Sequence, residues 1–132
     1  MRRQKLTIGI FGTMILLILS GCKPDLLPIG RPDLSGPISF CKTDDNHRLM
    51  VTVKNQGNAD AAASTTTVEF NPGGSVSIAT PAIPAGGTVD LSFTIPSGCF
   101  NPDCDFTITV DSKNDINESN EGNNSAKGIC IG

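Results

Sequence analysis

The sequence contains no tryptophan and no tyrosine, and its only histidine is His47. Without Trp or Tyr the chain lacks the aromatic faces on which sugar-binding modules usually stack their ligand, which argues against a carbohydrate module. The phenylalanines do not fill that gap. Outside the N-terminal run they are Phe40, Phe70, Phe93, Phe100 and Phe106, and all but Phe100 fall on inward positions of the strands proposed below. A single histidine also argues against an enzyme, which would need a histidine, a carboxylate and a nucleophile converging on one point. His47 lies in a polar stretch, Lys42-Thr43-Asp44-Asp45-Asn46-His47, that reads as a solvated turn. Basic residues are few: 10 Lys and Arg against 13 Asp and Glu. This balance, more acidic still once the N-terminal run is set aside, argues against nucleic acid, which needs clustered Lys and Arg, and against electrostatic docking on anionic lipid.

One long apolar run is present, and it stands at the N-terminus. Arg2, Arg3 and Lys5 precede a run from Leu6 to Leu19, followed by Leu19-Ser20-Gly21-Cys22. The run is shorter than the roughly 20 apolar residues of a spanning helix. A charged start, a short apolar centre and small residues before a cut make a secretory signal. A leucine and two small residues ahead of cysteine resemble the bacterial lipobox. That resemblance implies cleavage before Cys22 and a lipid on its sulfur and new amine. Two or more acyl chains give stable attachment where one gives only weak binding. Lys23 stands where aspartate would retain a Gram-negative lipoprotein in the inner membrane, so in such a cell the expected address is the outer membrane. The expected organisation is a signal peptide over 1–21, a lipidated cysteine and tether over 22–31, and one domain over 32–132. Removing the signal leaves seven basic and thirteen acidic residues, a formal charge of −6.

Cys41, Cys99, Cys104 and Cys130 remain in the mature part. An even number in an exported chain implies two disulfides. A zinc site is the weaker alternative, because the sequence offers no CxxC pair and one histidine.

From Pro32 onward the chain is a series of short alternating runs. Leu34, Ile38 and Phe40 mark a first strand. Leu49, Val51 and Val53 mark the next, followed by Val68 and Phe70, then Val76 and Ile78. Val89, Leu91, Phe93 and Ile95 alternate most cleanly. Phe106, Ile108 and Val110 follow, and Ala126 to Ile131 is a weaker last strand. Period-two alternation places one row of side chains in a core and the other in water. Asn55-Gln56-Gly57-Asn58, Asn71-Pro72-Gly73-Gly74, Pro84-Ala85-Gly86-Gly87 and Pro96-Ser97-Gly98 are suited to turns. No mature segment carries a competing helical stripe. About seven short strands with regular turns predict an all-β, immunoglobulin-like antiparallel sandwich.

Three segments carry a family resemblance. Val53-Lys54-Asn55-Gln56-Gly57-Asn58-Ala59, Ile83-Pro84-Ala85-Gly86-Gly87 and Val110-Asp111 with Ile116 to Asn124 resemble, in order, the markers of the CARDB family, the cell-adhesion-related domain found in bacteria. The resemblance covers nearly all of Pro32 to Gly132. It implies an immunoglobulin-like sandwich and little chemistry. The four cysteines are not a general feature of that family.

In a seven-strand sandwich the first and last strands run parallel, which brings Cys41 and Cys130 to one end. Cys41–Cys130 with Cys99–Cys104 is therefore the preferred pairing. The loop holding Cys99 and Cys104 belongs at the same end, so Cys41–Cys99 with Cys104–Cys130 competes with it. The segment Asp111 to Asn124 is rich in carboxylates and amides. Asp111, Asp115, Glu118 and Glu121 are its candidate calcium ligands, since calcium takes six to eight hard oxygens. The spacing is not that of an EF-hand, and a connecting turn explains the segment without metal. The expectation is thus no metal and no cofactor. The sequence reads as a lipid-anchored, non-catalytic binding or adhesion module of the bacterial cell envelope, with a protein or envelope component as partner. A structural accessory subunit or spacer in an envelope complex is the alternative.

Overall fold

The computed structural model describes residues 30–36 and 41–132. The expected signal peptide, Cys22, most of the expected tether, and Ile38 and Phe40 of the expected first strand lie outside the described residues. Among the described residues, seven strands form two antiparallel sheets: β1 (Leu34–Ser35), β2 (Leu49–Asn55), β3 (Ser64–Asn71), β4 (Gly74–Thr80), β5 (Thr88–Phe93), β6 (Cys104–Thr109) and β7 (Ser125–Cys130). One sheet has the order β1-β2-β5 and the other β4-β3-β6-β7. This is the sandwich that the alternating runs predict.

The alternation becomes burial in the expected way. On β2, Leu49, Val51 and Val53 are fully buried while Thr52 and Lys54 face water. On β3, Val68 and Phe70 point inward. Phe70 and Phe106 are register partners, with ring centroids 6.4 Å apart and planes tilted by 54°. Tilted aromatic pairs of this kind add to simple area burial. Gly128 stands opposite Phe106 on β7, and a side chain there would run into the Phe106 ring. That close approach explains why the weakest alternation lies on β7, where a core position holds no side chain. The sequence carries β5 to Ile95, but the strand ends at Phe93, short of the turn at Pro96 to Cys99, where the Cys99 amide donates to the Pro96 carbonyl at 3.0 Å.

The strands give the domain two poles. At one, Leu34 pairs with Asn55, and the incoming chain lies against Gly57 and Asn58, exchanging hydrogen bonds between Arg31 and Asn58. This is the tether pole. At the other, Cys104 pairs with Cys130 across β6 and β7. Cys41 is bonded to Cys130, and Cys99 to Cys104, with Cα–Cα separations of 5.0 and 4.9 Å. Both disulfides therefore sit at the far pole. Among the described residues no helix is long and apolar enough to cross a membrane.

Candidate functional site

The three motif segments of the sequence meet at the tether pole, and their residues are largely bonded to one another. Asn55 ends β2 fully buried. Its Oδ1 accepts from the amides of Asp33 at 3.1 Å and Gly57 at 3.0 Å. Its Nδ2 donates to the carbonyls of Ala59 at 2.8 Å and Ile83 at 3.0 Å. A buried amide must satisfy both ends, and here one residue ties three segments together. Gly57 is required beside it, because a Cβ would collide with the backbone of Arg31, Pro32 and Asp33. The Ile83–Gly87 turn docks on the same strand end, with the Gly86 amide donating to the Asn55 carbonyl at 2.8 Å.

The third segment holds the carboxylates. Asp111 is buried with a left-handed φ of 49°. Its two oxygens accept from the amides of Asp115 and Ile116, each at 2.9 Å, which closes the turn and sets Ile116 into the core. Glu118 is also buried. Its Oε1 accepts from the Leu34 amide at 2.7 Å, and its Oε2 from Asn124 Nδ2 at 3.0 Å. Glu118 thus links β1 to the loop before β7. Burial pushes its carboxyl up to about 6, against the lowering effect of the hydrogen bonds from Leu34 and Asn124. Nearby Glu121 and Asp111 push in the same upward direction.

Ligand oxygens of Asp111, Glu118 and Glu121 all lie within 4.8 Å of one another. The structure thus brings together three of the four carboxylates singled out in the sequence. Asp115 is not in the group: it is exposed and contributes its backbone amide instead. Arg48–Asp44 is the ion pair found among the described residues, and it lies elsewhere, so among these residues no cation pairs directly with the three carboxylates. Asn124 bonds Glu118 and Glu121 through its Nδ2, while its Oδ1 is buried with no protein partner. Carboxylate and amide oxygens are the donors that calcium takes, so the donor set fits a hard divalent cation.

His47 occupies the other pole. It is exposed with φ 60°, at the tip of the hairpin between Cys41 and β2. Among the described residues its imidazole makes no hydrogen bond to a side chain. The hairpin is organised by Asp44, whose Oδ1 accepts from the amides of Asn46 and Arg48 at 2.9 Å each. The Arg48 guanidinium reaches Asp44 Oδ2 at 2.8 Å. The Arg48 amide, more than the guanidinium, holds the Asp44 carboxyl below its ordinary value. This arrangement shapes a turn.

Two features were missed in the sequence. The role of Asn55 had no signal beyond its place in a motif, because a buried polar residue at a strand end looks like a turn residue. The exposed cluster of Phe100, Ile129 and Ile131 had a partial signal: only Phe100 was singled out, while the isoleucines read as the last strand.

Solved structures share this architecture. One is the solution structure of a domain of a Methanosarcina acetivorans protein provisionally described as a cell surface protein. It has a TM-score of 0.62 and 21% identity, over 76% of this chain and 91% of that one. Another is the crystal structure of a Pyrococcus furiosus CARDB domain in complex with di-metal ions. It has a TM-score of 0.58 and 23% identity, over 80% of this chain and 96% of that one. No curated protein matched the sequence. The CARDB family model matches residues 23–128, most of the sequence, and the chain belongs to the CARDB family.

Proposed function

We propose that the protein is a non-catalytic binding module of the bacterial cell envelope, held at the membrane by lipid on Cys22. The observation that carries the reading is the division of the domain into two poles. The chain from Cys22 enters at the pole where the motif residues are bonded to one another. The opposite pole is closed by both disulfides and carries the exposed apolar side chains. A module built this way is held at one end and presents the other. The Methanosarcina relative's description as a cell surface protein supports the location. Growth with an alkyne-bearing fatty acid tests the anchor: the wild-type chain is labelled and Cys22→Ala is not. Label retained by Cys22→Ala would overturn it. A stable complex with other envelope proteins and no separable ligand would favour the accessory-subunit role instead.

A second reading attaches to the tether pole. The di-metal complex of the Pyrococcus domain and the converging carboxylates here support a seat for a divalent cation of the calcium class. Asp111, Glu118 and Glu121 would hold it. Such a cation would fasten β1 to the loop before β7. Calcium should raise the melting temperature of the wild type and leave that of Glu121→Gln unmoved. Equal responses of the two proteins would remove the cation from the account.

A further inference from the structure

The three exposed large hydrophobic side chains among the described residues are Phe100, Ile129 and Ile131, with exposures of 42%, 43% and 73%. All three line one groove at the far pole, of about 470 Å³, with Ile95 in its wall and Thr43 and His47 on its rim. Scattered exposed hydrophobics are ordinary, but a shared patch marks an interaction site. The volume falls in the range of roughly 300–1,000 Å³ that ligand pockets occupy.

The walls are fixed before anything binds. Cys130, joined to Cys41, ends the strand that carries Ile129. The Cys99–Cys104 bridge pins the loop that carries Phe100. On the third side, Asp44 and its hydrogen bonds from Asn46 and Arg48 set the hairpin that holds His47. The bridges limit the loop freedom to be lost on binding, which favours affinity from a small contact.

The occupant follows from area and position. The exposed parts of the three side chains amount to something on the order of 300 Å², the scale of a functional patch on a monomer. A stable pair of copies needs roughly 800 Å² on each side, so the patch is too small for a second copy. The bilayer is also unsuited. The tether joins at the opposite pole, and residues 23–29 fully extended reach only about 25 Å, about the length of one seven-residue strand, whereas the groove is built largely from residues beyond the strand ends, Thr43, His47, Ile95, Phe100 and Ile131. The patch fits a partner that seats apolar side chains in the groove and bonds at its polar rim, where Thr43 and His47 stand. We propose that this groove binds a short peptide segment of another protein that presents two apolar side chains. The proposal rests on the binding-module reading and names its ligand class.

The probe is a phage-displayed random peptide library panned against the purified mature protein. The selected peptides should share two apolar or aromatic positions. A synthetic copy should bind about ten-fold or more weakly to Ile131→Asp and to Phe100→Asp. Binding to Lys54→Glu, on the solvent face of β2, should be unchanged. Ile131 lies beyond β7, so its variant keeps the proposal testable even if Phe100→Asp loosens its loop, and an unchanged melting temperature confirms the fold. Recovery of no peptide would overturn the proposal. So would selected sequences without apolar positions, or affinity indifferent to both variants. Self-association abolished by Ile131→Asp would overturn it in favour of a second copy. Fatty-acid labelling of Cys22 is read separately, so a failed groove and a failed anchor give different results.

Discussion

Asn55 and Glu118 show how single polar residues hold this small sandwich together. Asn55 makes four hydrogen bonds inside the core, to Asp33, Gly57, Ala59 and Ile83. Asn55→Ala would leave buried donors and acceptors unpaired. At ~1–3 kcal/mol for each buried group left unsatisfied, the expected cost is about 3 kcal/mol in urea unfolding. A cost below about 1 kcal/mol would show that water replaces the amide. Glu118 gives a pH dependence. Burial raises its carboxyl from 4.5 to about 6 in the folded protein, so folding favours the protonated form. Its contribution is fully present below about pH 4.5 and is lost as pH rises through about 6. In the presence of chelator, the melting temperature of the wild type should therefore fall relative to Glu118→Gln between those values. A constant difference would contradict the burial argument. Neither role was legible in the sequence. Asn55 and Glu118 stood in recognisable motifs, but the groups they bond lie up to 84 positions away in the chain.

Elements were more legible, because a strand with one buried face writes its period into the residues. β2 and β3 follow their predicted alternation closely. Where the reading was less sharp, a local cause is visible: Gly128 leaves room for the Phe106 ring and blurs β7, and the turn from Pro96 follows closely on β5. The two disulfides lie at the same pole but close loops of very different size, separated by 89 and 5 residues. In the chain-entropy model they contribute about 4–5 and about 2 kcal/mol. Cys41→Ser with Cys130→Ser should therefore lower stability about twice as much as Cys99→Ser with Cys104→Ser, measured by chemical unfolding. The opposite order would mean that the short bridge does more than close its own loop.

At the scale of the molecule, the far pole was the least legible part. Parallel first and last strands already place Cys41 beside Cys130, but the groove needs side chains from the hairpin, the Cys99–Cys104 loop and the end of β7. No one segment contains that pattern. The tether pole was more legible, since all three motif segments contribute to it. Three carboxylates converge there because β1 folds across the loop before β7, bringing Glu118 to the Leu34 amide. The central claim is that this pole faces the membrane while the groove faces away. Paramagnetic broadening from gadolinium-bearing lipids tests it, with the lipidated protein held in a nanodisc. Amides of Gln56 to Asn58 and of Ser119 and Asn120 should broaden most, and those of Phe100 and Ile131 least. Uniform broadening, or the reverse gradient, would contradict the account.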